Sequence, residues 1–278
     1  IMSLGGPIGI GKTYMAAWLI NQAIAQVYKG LWIECSEREV TQESFLVALA
    51  SKIPDRYKAA FIQDVKQKTT DRLDLLIAFL DSENYLVVFN DFHCVQNNKK
   101  WNEFFTRVIQ KSKHIKIVLT SRVRPDCFDS PEWGTGTATE ITLEGLPLDS
   151  ICDYIDASEI SNHQLKVIFD RTSGNPYALG LLMSLLRNRK GDFKLDNLPL
   201  FTDDRASLWA DSLIETLDDD IIDLACKIAV VRSAVSLDLI NRMAYVAKGD
   251  VFSLVTKMVD SYILQYIGHK QYQMQNYI

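Results

Sequence analysis

The sequence has no apolar run approaching the ~18 residues of a membrane span, and no secretory leader pattern at its start. It also lacks an excess of positive charge. Thirty Lys and Arg stand against 35 Asp and Glu, a formal net charge of −5, which argues against a globally basic nucleic-acid binder and leaves only local patches to consider. Cysteine is sparse and scattered, at positions 35, 94, 127, 152 and 226, with no C-x-x-C pair and no histidine at ligand spacing. Neither a disulfide framework nor a zinc site is indicated, and the five are expected to be reduced, buried thiols in a cytoplasmic protein. At 278 residues the chain is long enough for a large core and two or three subdomains. It opens on Ile1, already inside a strand pattern, which predicts that it is a piece of something longer.

What is present begins at once. The run Gly6-Pro7-Ile8-Gly9-Ile10-Gly11-Lys12-Thr13 fits G-x-x-x-x-G-K-[ST], a phosphate-binding loop. Glycines let the backbone curl so that successive N–H groups converge on phosphate oxygens. Lys12 is placed to reach the β- and γ-phosphates, and the Thr13 hydroxyl to meet Mg²⁺. The context suits this: Ile1–Leu4 reads as a strand end. Thr13 to about Tyr28 reads as a helix with Met15, Trp18, Leu19, Ala23 and Val27 on its apolar face. Residues 6–14, Tyr14 included, are the candidate nucleotide contacts.

Further strands and helices alternate over about 145 residues. Gly30–Cys35 reads as a turn and a short strand, and helices are expected at Thr41–Ile53, Tyr57–Gln67 and Asp71–Leu80. Tyr85–Phe89 is a continuous apolar run ending in Asn90-Asp91-Phe92-His93, so Asp91 falls where a Walker B carboxylate organises Mg²⁺ and water. Ile115–Leu119 ends in Thr120-Ser121-Arg122, and Arg122 is expected at the same crevice, facing the γ-phosphate. Ile141–Leu143 reads as one more strand. The alternation predicts an α/β fold with a parallel sheet sandwiched by helices. His93, the Lys111/Lys113/His114/Lys116 cluster and Trp101, Trp133 and Trp209 are read as structural or solvated groups.

Taken together, Gly6–Thr13, the strand containing Trp32, Val87–His93 and Val118–Arg122 resemble the STAND class of P-loop NTPases. That class includes NB-ARC and NACHT proteins and the maltose-activator-type regulators. Leu143–Leu148 resembles the linker into its helical lid, and Ser173–Leu179 its G-x-P motif, which would set Pro176 near the adenine. The resemblance implies a P-loop nucleotide-binding domain over 1–145, a helical lid and linker over 146–204 and a winged-helix domain over 205–278. Lys12, Asp91 and Arg122 would then be the catalytic set, Thr13 and Asp91 the metal ligands, and ATP or ADP with Mg²⁺ the cofactors. The implied role is an ATP-binding, slowly hydrolysing switch acting on effector, sensor or self-association domains elsewhere in the full chain. The reading of 206–278 from its own pattern agrees: helices near 206–217, 219–232, 236–247 and 250–260, then a hairpin over 262–274, after a polar linker at 192–204.

Two departures bear on mechanism. Asn90 stands where the class has the first of two acids, and an amide is no base and offsets no Mg²⁺ charge. Met274-Gln275-Asn276 stands where NB-ARC proteins have Met-His-Asp, which weakens the case for an ADP-locked state. Two other readings stay open. One is a DNA-acting ATPase of origin-recognition type, disfavoured because the wing carries only His269 and Lys270 as basic groups. The other is a nucleotide-stabilised scaffold with negligible turnover. No base-reading [NT]KxD motif is present, which tilts ATP against GTP towards adenine.

Overall fold

The computed structural model describes residues 1–35, 69–96, 99–127, 131, 135–155, 160–187, 198–231, 234–244 and 250–274. The helices expected at 41–53 and 57–67, Trp133, and Gln275 with Asn276 lie outside the described residues. The chain divides into two compact units, one of Ile1–Pro7 with Gly11–Leu143, the other of Ile8–Ile10 with Glu144–Ile278.

The first unit is built on five parallel strands: β1 (Met2–Gly5), β2 (Lys29–Glu34), β3 (Tyr85–Asn90), β4 (Lys116–Thr120) and β5 (Thr139–Thr142), in the order β2-β3-β4-β1-β5. All six residues of β3 are buried, as a central parallel strand covered on both faces requires. Its alternate side chains serve two cores. Val87 and Phe89 join Leu31, Ile33, Ile117 and Leu119 under helices α2 (Thr69–Ser82) and α3 (Lys99–Lys111). Leu86 and Val88 join Leu4 and Val118 under α1 (Lys12–Ala25). The first of these cores centres on Phe89, Phe92, Trp101, Phe104 and Phe105, whose rings meet mostly edge to face.

Helix α1 turns inward a face that overlaps only in part with the one its apolar spacing predicts. Ala16 and Ile20 are its buried apolar residues and Leu19 and Ala23 pack half-buried against the same core, while Met15 and Trp18, and Val27 beyond the helix, are exposed. A helix lying close on a parallel sheet meets it with a small residue, and the bulky ones are displaced to the flanks. At the far side of the sheet, Asp81 ties the end of α2 to the α3–β4 connection. Its carboxylate accepts from the Ser112 hydroxyl at 2.6 Å and from the amides of Lys113, His114 and Ile115.

The second unit begins with α4 (Leu148–Tyr154), α5 (Asn162–Thr172) and α6 (Pro176–Arg187). Ser161 and Gln164 form a capping box at the start of α5. Between α5 and α6 the chain crosses the Leu146 backbone so closely that the Leu146 N–H donates to the Gly174 carbonyl at 2.8 Å. Gly174 has φ 69°, and a Cβ there would fall 2.1 Å from the Leu146 carbonyl oxygen, so only glycine fits. Helices α7 (Ala206–Ile214), α8 (Asp219–Ala229), α9 (Leu237–Met243) and α10 (Val251–Asp260) follow. With them is a small antiparallel sheet, β6-β8-β7, of β6 (Val235–Ser236), β7 (Leu264–Gly268) and β8 (Gln271–Met274). His269 and Lys270 both take positive φ, which a two-residue hairpin turn requires. Leu198 and Phe201, within the stretch expected to be polar linker, are buried in this unit's core beside Trp209. Of the cysteines, Cys94 and Cys226 are exposed, against the expectation of burial, and all five are free thiols.

Candidate functional site

The carboxyl ends of β1, β3 and β4 converge on one hydrogen-bonded cluster. After β1 the chain enters the glycine loop and starts α1 at Lys12. Gly11 caps the helix with φ 101°, a left-handed conformation that a side chain would strain. The first turn of α1 holds no acidic residue, so its N-terminal partial charge is not offset locally. Lys12 is 7% exposed, and its ammonium donates to the carbonyls of Gly6 at 2.8 Å and Pro7 at 2.7 Å. A buried cation, a helix N-terminus and a glycine-capped turn in one place suit a phosphate group.

Thr13 extends the cluster to β3. Its hydroxyl donates to Asn90 Oδ1 at 2.9 Å, which leaves the oxygen's lone pairs available to a cation. Thr120, at the end of the strand between β1 and β3, donates to the same Oδ1 at 2.8 Å and accepts the Asp91 N–H at 2.8 Å. Asn90 therefore meets Thr13, and Asp91 does not. The reason is local: Asn90 ends the strand with its side chain 4% exposed, whereas Asp91 has φ 54° and turns the chain into the 3-10 turn Phe92–Cys94. Asp tolerates that conformation better than most residues.

On its other side Asn90 meets Glu34, the last residue of β2 and its register partner in the ladder. Asn90 Nδ2 lies 3.0 Å from both Glu34 carboxylate oxygens, and the Trp32 indole N–H approaches Glu34 Oε2 at 3.4 Å. The Cys94 thiol gauges the surrounding charge. Partial desolvation raises its pKa, the Asp91 carboxylate raises it further, Arg122 lowers it and Glu34 raises it. Burial, then Glu34, Cys94 and Asp91, push Cys35 upward as well. Asp91, Arg122 and Glu34 thus share one electrostatic neighbourhood.

The sequence marks Thr120 only as part of the strand end Thr120-Ser121-Arg122 and does not mark Glu34. Both obey the rule that marked Asp91 and Arg122, namely a polar residue at the carboxyl end of an apolar strand. In the second unit, Ile8 donates its amide to Asp203 Oδ1 at 2.8 Å, and its carbonyl accepts from Asn175 Nδ2 at 2.7 Å. A Cβ on Gly9 would fall 2.4 Å from that of Tyr177, and Ile10 is buried. Pro176 opens α6, with its carbonyl 3.4 Å from the Tyr154 hydroxyl. In the first unit, Tyr14 is 80% exposed.

Residues 1–128 match the NB-ARC domain family. No curated protein sequence matches the chain. Among solved structures it is similar to the Signal Transduction ATPase with Numerous Domains protein with a tetratricopeptide repeat sensor from Pyrococcus horikoshii. That match has a TM-score of 0.68 at 14% identity and covers 99% of this chain. The chain spans 38% of that protein's length. It is also similar, at a TM-score of 0.45 and 13% identity, to the Aeropyrum pernix ORC2 protein, over 98% of this chain and 82% of that one. The RuvB Holliday junction branch migration motor of Thermotoga maritima matches at 0.43 and 16%, over 99% and 84%. At 14% identity the likeness to the Pyrococcus protein speaks for the fold alone. The parallel sheet and the glycine loop with its strand-end cluster agree with the NB-ARC match over residues 1–128, somewhat under half of the chain, and with the fold shared with the Pyrococcus protein.

Proposed function

We propose that the chain is an ATP-binding switch module that uses Mg²⁺, hydrolyses slowly, and regulates an effector or oligomerisation domain of a longer protein. The observation that carries this reading is the bond from Thr13, at the start of α1, to Asn90 beside Asp91. It joins the helix N-terminus at the end of the glycine loop to the strand-end polar groups, as a phosphate and Mg²⁺ site requires. In this reading Lys12 neutralises the β- and γ-phosphates, and residues 6–14 line them, with backbone N–H donors from those other than Pro7, which has none, and Ile8, whose N–H is held by Asp203. Thr13 and Asp91 hold Mg²⁺, which supplies charge neutralisation at the phosphates when bound. Arg122 is assigned to the γ-phosphate, and Pro176 to the base.

The element order supports a three-part module: residues 1–145 for nucleotide, 146–204 as helical lid and linker, 205–278 as winged helix. Three helices, α4–α6, and then four helices with the sheet β6-β8-β7 are what such a division expects. Calorimetric titration with ATP, with and without Mg²⁺, tests the reading. Saturable binding that Mg²⁺ tightens is expected, and the absence of any ATP binding contradicts it.

A further inference from the structure

We infer that Glu34 is the positioning carboxylate of the phosphate site, acting through the side-chain amide of Asn90 on the Thr13 hydroxyl. The inference rests on the nucleotide reading above and adds to it the residue that replaces the acid missing at position 90.

The argument starts from what each group can do. A carboxylate only accepts hydrogen bonds, so the face of Asn90 turned to Glu34 must be its NH₂. Both Glu34 oxygens lie 3.0 Å from Nδ2, which fixes this orientation. Oδ1 must then face Thr13 and Thr120, and both hydroxyls donate to it. An isolated asparagine could present either end to two threonine hydroxyls, since a hydroxyl donates or accepts equally well. With the NH₂ end inward, the Thr13 oxygen would spend a lone pair on Asn90. The charge on Glu34 selects the other orientation, in which the Thr13 proton points into the protein and its lone pairs point away from it.

The register makes the arrangement a property of the sheet rather than of a chance rotamer. Glu34 and Asn90 are paired residues at the ends of adjacent parallel strands, and the ladder continues through the Cys35 N–H to the Asn90 carbonyl at 2.9 Å. An acid at the end of β2 thus faces an amide at the end of β3 across two neighbouring strands. The negative charge sits on β2, and the amide on β3 transmits its orientation to the loop threonine.

The test compares wild type, Glu34→Gln, and the double variant Glu34→Gln with Asn90→Asp, measuring ATP affinity by calorimetry across a Mg²⁺ titration. The double variant exchanges amide and carboxylate, so the same two hydroxyls again meet an acceptor. Glu34→Gln is expected to reduce the gain in ATP affinity that Mg²⁺ confers by about tenfold or more. The double variant is expected to recover that gain to within about threefold. A second readout needs no nucleotide: the melting temperature of the free protein, expected to fall in Glu34→Gln and to return in the double variant. Wild type that takes up no ATP overturns the nucleotide reading and this inference with it. Wild type that binds while Glu34→Gln keeps the full Mg²⁺ effect overturns this inference alone. So does a lost Mg²⁺ effect that the double variant fails to restore; a merely structural role at position 34 predicts instead a lowered melting temperature with the Mg²⁺ effect kept.

Discussion

The amide of Asn90 is held by the carboxylate of Glu34, with Nδ2 3.0 Å from each oxygen, while Oδ1 of the same side chain takes the hydroxyls of Thr13 and Thr120. Position 90 is therefore occupied by a residue that must both donate and accept. An aspartate could accept the two hydroxyls but could not donate to Glu34.

Asn90→Asp is accordingly expected to destabilise the protein at neutral pH by about 1–3 kcal/mol, the cost of an unmade buried bond with two facing carboxylates. Such a pair holds a proton more tightly folded than unfolded, so the deficit relative to wild type shrinks as pH falls. Denaturant unfolding of both proteins at pH 7 and pH 5 checks this. A deficit that is equal at the two pH values contradicts it.

Thr120 is fully buried and serves two partners, Asn90 and the Asp91 amide. Thr120→Val keeps the shape and removes the hydroxyl, leaving Asp91 N–H without its acceptor. A loss of about 1–3 kcal/mol in unfolding free energy is expected, together with weaker ATP binding. Unaltered stability would show that the cluster does not hold the strand ends together.

These polar contacts also show where sequence reading stops. The glycine loop, the β3 run ending at Asn90 and the strand ending at Thr120 are local patterns, and each stands in the fold close to where its spacing put it. That Glu34 faces Asn90 depends on the pairing and register of β2 with β3, which join residues 56 apart in the chain. On α1, bulk is a poor guide to which side chains meet the sheet: Trp18 is 53% exposed where Ala16 is fully covered, although Leu19 and Ala23 pack as their spacing predicts. The two-residue strand β6 is too short to leave a period. Asp203 sat in a stretch whose polarity suggested a linker, yet its carboxylate accepts the Ile8 amide.

Asp81 offers a pH test of the fold alone. Partial burial works to raise its pKa, but hydrogen bonds from the Ser112 hydroxyl and the amides of His114, Lys113 and Ile115 outweigh that and bring it down to about 2. A depressed folded pKa contributes stability above the unfolded value of about 3.9 and loses it as pH falls towards about 2. The stability gap between wild type and Asp81→Ala is therefore expected to be full at pH 7 and to narrow below about pH 4. A gap that persists unchanged down to pH 2.5 or so contradicts the assignment.

Gly174→Ala tests the close crossing in the second unit. The substitution forces a Cβ into the Leu146 carbonyl and strains a φ of 69°, so a destabilisation of about 1–3 kcal/mol is expected in thermal or denaturant unfolding. A variant as stable as wild type would mean that the Leu146–Gly174 contact is not maintained.

The central claim is that the loop after β1 binds nucleotide phosphates through Lys12. Calorimetric titration of wild type and Lys12→Ala with ATP in the presence of Mg²⁺ tests it most directly, with the melting temperature of each confirming the fold. The account predicts saturable binding by wild type and at least about 100-fold weaker binding by Lys12→Ala, roughly 2.7 kcal/mol. Equal ATP affinity in the two folded proteins would contradict it.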